Sequence, residues 1–235
     1  MEALWNGIVL AQTEQAFRLG TDSVLLAQFL TLPKNARVVD LGAGCGTLGL
    51  LLCARDAGCT VLGVELDAAA QEAALENIAF NHLEHRMTAL LGDVRELRTF
   101  LPANSADCVI ANPPYFPAGS GKTSEKFAMA RSEATLPLTE LCAAAAWLLP
   151  SGGRFALVHR PERLCDIFCA MRAVKIEPKR VQLVRHKPDA EPCLALIEGR
   201  RDGKAGLHWE PDFIEFTRDG QETAAYRAAY HRGEL

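Results

Sequence analysis

The 235 residues are 49% hydrophobic and 23% charged, with a formal net charge of −4. That apolar content suffices for the core of one α/β domain with a short N-terminal extension, and no apolar run approaches the length of a membrane span. The opening Met1-Glu-Ala-Leu-Trp-Asn lacks the basic start and apolar centre of a signal peptide, so a cytoplasmic chain is expected.

In chain order, Thr21-Asp-Ser predicts the N-cap of a helix running to Leu30, with apolar Val24, Leu25, Leu26 and Phe29. Pro33-Lys-Asn breaks it before a first strand, Arg37-Val-Val-Asp40-Leu41. Gly42-Ala-Gly44-Cys-Gly46-Thr-Leu-Gly49 then leads into the apolar Leu50-Leu-Leu-Cys-Ala54, a succession of strand, glycine-rich turn and helix. Glycines let a ligand approach the backbone closely, and the helix start offers free N–H groups. A second strand, Thr60 to Val64, ends in Glu65, placed to accept both hydroxyls of a ribose. Asp67 caps a helix from Ala68 to Asn81. A third strand, Met87 to Leu91, ends in Gly92-Asp93, and a fourth, Ala106 to Ala111, runs into Asn112-Pro-Pro-Tyr115.

Residues 117–126 are rich in Gly, Ser and Lys without apolar period and read as a loop. Leu136 to Leu149 is a helix closed by Pro150-Ser-Gly-Gly153, Arg154 to His159 a fifth strand, and Pro161 the start of another helix. Arg180 to Arg185 and Cys193 to Glu198 suit a closing antiparallel hairpin. Eight cysteines, at 45, 53, 59, 108, 142, 165, 169 and 193, contain no Cys-x-x-Cys and mostly lie in apolar runs. Buried reduced thiols are expected rather than a metal site; Cys165 and Cys169 share a helix face, but only His159 is near as a third ligand.

Asn112-Pro-Pro-Tyr115 carries the most chemistry. It follows a buried strand, at the edge where open α/β sheets bind ligands. Prolines donate no N–H, so the Asn112 side-chain oxygen and the Pro113 carbonyl are available to accept both hydrogens of one planar –NH2 group, while Tyr115 stacks on the ring that bears it. Two acceptors draw the nitrogen towards tetrahedral geometry and return its delocalised lone pair for attack. A strand-terminating Asn-Pro turn is the plain alternative.

The chain resembles the S-adenosylmethionine-dependent methyltransferases that act on amino groups. Asp40-Leu-Gly-Ala-Gly-Cys-Gly46 is similar to their cofactor motif and Asn112-Pro-Pro-Tyr115 to their catalytic motif. Phe17-Arg-Leu-Gly-Thr-Asp22-Ser-Val-Leu-Leu26 and Gly152-Gly-Arg-Phe-Ala-Leu-Val-His-Arg-Pro-Glu-Arg163 extend the resemblance to the bacterial tRNA (adenine-N6) methyltransferases acting beside the valine anticodon, over nearly the whole chain. It implies a class I, Rossmann-like α/β fold: a seven-stranded, mostly parallel sheet with a closing antiparallel hairpin. Residues 1–36 would form an extension packing on the cofactor site and 37–235 the methyltransferase domain.

The implied cofactor is S-adenosyl-L-methionine, with Asp40, Gly42 and Gly44 shaping its pocket, Glu65 on the ribose, Asp93 on the adenine amine, and Thr21, Asp22 and Ser23 bordering the methionine end beside Asn112. Asn112, Pro113, Pro114 and Tyr115 would be catalytic, without metal, because methyl transfer from a sulfonium needs in-line placement and neither a covalent intermediate nor a strong base. The resemblance calls for Ala-Arg-His-Glu where this chain has Ala130-Arg-Ser-Glu133; Arg131 matches and is assigned to the substrate.

The expected partner is tRNA, at the adenine 3′ of the anticodon, with no membrane partner and the oligomeric state open. Residues 154–187 hold 9 Lys and Arg against 3 Asp and Glu, a local basic face from which Arg160, Arg163 and Lys179 are candidate phosphate contacts, the alternative being an ordinary solvated surface. Other planar amines remain possible substrates: release-factor glutamine, ribosomal guanine or DNA adenine. The other class of reading is a non-catalytic module binding this cofactor or a nicotinamide dinucleotide. The intact Asn-Pro-Pro-Tyr argues against the first, and Asp40 before the turn with Thr47 and Leu48 at the helix start against the second.

Overall fold

The computed structural model describes residues 2–11, 19–113 and 136–230. Four parallel strands form one side of its main sheet: β3 (Arg37–Leu41), β4 (Thr60–Glu65), β5 (Met87–Leu91) and β6 (Cys108–Ala111). Two short strands come earlier in the chain, β1 (Glu2–Ala3) and β2 (Val9–Leu10), and pair antiparallel as a separate ribbon. After β6 come β7 (Arg154–His159), β8 (Ile176–Arg185) and β9 (Pro192–Arg201), giving the order β5-β4-β3-β6-β7-β9-β8. β9 runs antiparallel to both neighbours, so β8 again points the same way as β7. This is the expected seven-stranded class I arrangement with its closing hairpin.

The edge extends further than the sequence indicates. β10 (His208–Trp209) and β11 (Phe213–Ile214) each add a two-residue parallel pairing to β8, making this sheet nine-stranded among the described residues. Two-residue pairings carry no alternating apolar pattern, so periodicity does not show them. β8 also begins earlier than its apolar run. Glu177, Pro178 and Lys179 belong to it because backbone pairing to β9 continues there, with a register shift between Pro178 and Arg180 that accommodates the proline. β6 starts at Cys108, two residues later than its apolar run: the Ala106 amide donates to the Leu148 carbonyl, outside the sheet, while Asp107 bonds Arg37 and Arg154 at the first residues of β3 and β7.

Among the described residues the α-helices are α1 (Thr21–Phe29), α2 (Thr47–Arg55), α3 (Ala68–Phe80), α4 (Leu138–Leu148), α5 (Leu164–Ala173) and α6 (Ala224–Ala229). Asp67 caps α3 as expected, its carboxylate accepting from the Ala70 amide at 2.8 Å. α1 differs: its N-cap is Gly20, so Thr21, Asp22 and Ser23 occupy the first helical turn. Asp22 accepts from the Ser23 amide at 2.8 Å, within that turn, where a carboxylate suits the helix dipole.

Successive strand residues point to opposite faces. Val38, Cys108, Ile110, Ala156 and Val158 pack with α1 and α2, while Val39, Leu41, Val109, Ala111, Phe155 and Leu157 pack with α4 and α5. Asp40 and Asn112 share the parity of Val38 and Ile110, and so face the α1 side. Among the described residues no helix is long and apolar enough to cross a membrane. Cys45, Cys53, Cys59, Cys108 and Cys142 are buried free thiols, whereas Cys165 and Cys169 are exposed on α5.

Candidate active site

The carboxyl ends of β3, β4 and β6 adjoin one another and gather most of the candidates. The turn after β3 holds Gly42 and Gly44 at φ of 79° and 55°, a left-handed region that disfavours any side chain. A Cβ at either position would meet nothing within 4 Å, so the turn leaves open space beside its backbone. Opposite it, Glu65 closes β4. Its Oε2 accepts from the Gly44 amide at 2.8 Å and its Oε1 from the Asp67 amide at 2.8 Å. Each carboxylate oxygen carries a second lone pair, so the group is oriented yet still able to accept two hydroxyls.

Asp40 lies under the turn, 1% exposed, and among the described residues neither carboxyl oxygen has a hydrogen-bond partner. Burial, and secondarily the charge of Glu65, pushes its pKa up to about 8. A buried carboxyl with both oxygens unsatisfied is costly unless something else completes it. With the open glycine cradle and the oriented Glu65, this donor set fits a nucleoside that also carries polar groups.

Asn112 follows β6 on the same face, and Pro113 after it is buried. The Asn112 Nδ2 donates to Ser23 Oγ at 3.1 Å, which brings the first turn of α1 into the site. Sequence reading places Ser23 near the cofactor but does not pair it with Asn112, because 89 residues separate them. A further connection runs through Asn77 on α3: it donates to the Cys45 carbonyl in the glycine turn at 3.1 Å and binds both the amide and the carbonyl of Ala11. Neighbouring Asn81 holds Val9 in the same two-way manner. These asparagines read locally as surface residues of an alanine-rich helix, and only the return of the N-terminal ribbon gives them a role.

Other candidates sit differently. Asp93 caps the 3-10 turn Val94–Thr99 and is gripped by Arg95, whose Nε lies 3.0 and 2.9 Å from its two oxygens. The Arg95 guanidinium holds the Asp93 carboxyl below the usual carboxylate range. Arg160 and Arg163 lie just beyond the carboxyl end of β7, the strand next to β6; Arg160 donates to the Cys193 carbonyl at 3.1 Å and Arg163 to Asp166 at 2.6 Å. Lys179 is elsewhere. Its neighbours Pro178 and Arg180 pair through β9 with the level of Phe155 and Ala156, in the amino half of the sheet, and its Nζ donates to the Lys204 carbonyl. Much of the basic stretch is answered by carboxylates from distant sequence: Arg180 meets Glu198 and Glu210, and Arg185 meets Asp212. Pro114, Tyr115 and Arg131 lie outside the described residues.

The family model described as the methyltransferase small domain matches residues 16–174. The chain belongs to the methyltransferase small-domain family. Among curated relatives of this methyltransferase, the tRNA1(Val) (adenine(37)-N6)-methyltransferase of Porphyromonas gingivalis is 32% identical over 80% of this chain and 76% of its own. The protein of that name from Salmonella typhi is 35% identical over 65% of this chain and 62% of its own. Among solved structures, a predicted O-methyltransferase from Agrobacterium tumefaciens superposes with a TM-score of 0.75 at 21% identity, covering 90% of this methyltransferase and 96% of that chain. TrmN from Thermus thermophilus gives a TM-score of 0.54 at 20% identity, over 76% of this chain and 48% of that one. These structural likenesses bear on the fold.

Proposed function

We propose that this methyltransferase carries a methyl group from S-adenosylmethionine to the exocyclic amine of an adenine in tRNA, adenine 37 of valine tRNA, as the names of its relatives indicate for them. The observation that carries the chemistry is Asn112-Pro113 at the open end of β6, on the sheet face and at the edge where Glu65, Gly44 and Asp40 converge. S-adenosylmethionine, when bound, supplies an electrophilic methyl carbon.

The chain's residues then have distinct tasks. Glu65 accepts the ribose hydroxyls, Gly42 and Gly44 let the backbone approach, and Asp40 takes a polar group of the cofactor. The Asn112 Oδ1 and the Pro113 carbonyl accept the two hydrogens of the acceptor amine and hold its nitrogen in line. Neither is a base; the surplus proton on the methylated amine is acidic and leaves to water. Pro114 and Tyr115 complete the motif by sequence, Tyr115 stacking on the base, and Arg131 with Arg160 and Arg163 faces the RNA. Asp93, Thr21, Asp22 and Ser23 keep their assignment to the cofactor's surroundings. Residues 1–36 act as an extension that braces the cofactor side, a reading supported by the Asn77 and Asn81 contacts to Val9 and Ala11. An unpaired loop base can be splayed out of its stack, which suits an anticodon loop better than a duplex.

The test is an Asn112→Ala variant assayed with labelled cofactor and, separately, tRNA, ribosomal RNA, duplex DNA and release factor. Turnover on tRNA with the native enzyme and its loss in the variant, at unchanged cofactor affinity, is the expected result. Label entering release factor or DNA, with none in tRNA, overturns the substrate and leaves the amine chemistry standing.

A further inference from the structure

We infer that Arg95 is a latch on the adenine end of the cofactor pocket. In the empty protein it occupies the Asp93 carboxylate that the adenine amine must reach, and cofactor binding swings it towards Glu140. The inference rests on the reading above, in which Asp93 accepts from that amine.

The two acids at this edge are engaged differently. Glu65 and Leu91 are register partners on β4 and β5, and the Gly92 amide donates to the Glu65 carbonyl at 2.8 Å. Asp93, next in the chain, therefore stands near Glu65, as the base stands near the ribose in a nucleoside. On Glu65 each carboxylate oxygen takes one backbone amide and keeps room for a hydroxyl. On Asp93 each oxygen takes two donors. Oδ1 accepts from the Arg95 amide at 2.9 Å and from Arg95 Nε at 3.0 Å; Oδ2 accepts from Nε at 2.9 Å and from Nη2 as well. Two donors fill the lone pairs of a carboxylate oxygen, so an amine enters only when one of them leaves. The amide belongs to the cap of the Val94–Thr99 turn and is fixed by the backbone. The guanidinium is the part that can move, on a side chain 46% exposed.

It also has somewhere to go. A groove of about 610 Å³ is lined by Asp93, Arg95, Glu96, Arg98 and Glu140, between this turn and the start of α4. Glu140 is exposed in the first turn of α4. The Arg95 guanidinium is held above the usual arginine range by its bonds to Asp93 foremost, and the charge of Glu140 acts in the same direction. Arg95 thus has two anchors, one inside the site and one outside. A closed latch lowers apparent affinity by the fraction of molecules standing open.

The closing experiment measures S-adenosylhomocysteine binding by titration calorimetry and stopped flow. Arg95→Ala should bind about two- to fivefold more tightly than the native protein, the scale of one exposed ion pair, and associate faster. The gain should narrow in about 1 M salt, which screens the pair in the native protein. It should vanish in an Asp93→Asn background, where the cap acceptor survives and the charge does not. Glu140→Gln should weaken native binding about twofold and change nothing once Arg95 is alanine. A readout apart from affinity is the Arg95 Nε–H signal in the NMR spectrum, identified by its absence in Arg95→Ala; it should shift when the native protein binds S-adenosylhomocysteine. Arg95→Lys, which cannot fork across both oxygens, should fall between native and alanine and serves if alanine unsettles the turn. The reading beneath is checked where no latch masks it: adding Asp93→Asn to Arg95→Ala should cost about tenfold in affinity. Native affinity there overturns the placing of Asp93 on the adenine. With that loss seen, equal or weaker binding by Arg95→Ala overturns the latch alone, and so does a gain that persists undiminished in Asp93→Asn. An unaffected Glu140→Gln overturns the outer anchor.

Discussion

The amide of Gly44 donates to the carboxylate of Glu65 at 2.8 Å, joining the glycine turn after β3 to the last residue of β4. The contact sets the rotamer of the acid before any ligand arrives, and preorganised acceptors bind without the entropic cost of being ordered on arrival.

Glu65→Ala should therefore weaken S-adenosylmethionine binding by about 1–3 kcal/mol, since a charged acceptor is lost from two hydroxyls. Titration calorimetry checks this, and unchanged affinity would count against the whole assignment of the turn to the cofactor.

Asp40 makes the cofactor-free protein pH-sensitive. Its pKa of about 8 in the fold lies above the roughly 3.9 of an unfolded aspartate, so between those values the folded chain holds a proton that the unfolded chain has released. The stability from this group is complete below about pH 4 and is lost as pH rises through about 8. Tm of the cofactor-free protein should fall across that window, and Asp40→Asn, uncharged throughout, should flatten the fall. An identical slope in the variant removes Asp40 as its source.

Asn77 is 1% exposed and serves the Ala11 amide, the Ala11 carbonyl and the Cys45 carbonyl together. Asn77→Ala leaves three backbone groups short of a partner and should cost about 2–4 kcal/mol in urea unfolding. Because Cys45 belongs to the glycine turn, cofactor affinity should fall as well. A variant as stable as the native chain would mean that water replaces the amide at no cost.

The arginines beyond β7 and the lysine in β8 should separate in RNA binding. Arg160→Glu with Arg163→Glu should weaken tRNA binding and flatten its dependence on salt, by about one unit of slope for each phosphate that is no longer neutralised. Lys179→Glu, in the amino half of the sheet, should change neither. Filter binding across a salt series decides it; an equal weakening in the Lys179 variant would extend the RNA footprint to the far end of β8.

The legible part of this protein was local. Arg37–Leu41, the glycines after it, Glu65 and Asn112-Pro113 announce themselves because strand, turn and acceptor chemistry are set by neighbouring residues, and their placement at one sheet edge follows from parallel strands sharing a direction. The caps show the limit of that logic. Asp67 caps α3 as its position suggests, but Thr21-Asp-Ser sits inside α1, because the stretch before the helix already ends in Gly20 and the first turn begins there. Charge shows it more sharply. A run of 9 basic residues against 3 acidic describes the surface only until Glu198, Glu210 and Asp212 fold back onto Arg180 and Arg185. Pairing across such separations is decided by topology, since whether two charges meet depends on which strand lies at the edge. The same holds for Ser23 and Asn112. The sequence by itself determined that a carboxamide followed by prolines ends a central strand; only the tertiary structure, by laying α1 against the end of β6, brought Ser23 within hydrogen-bond distance of it.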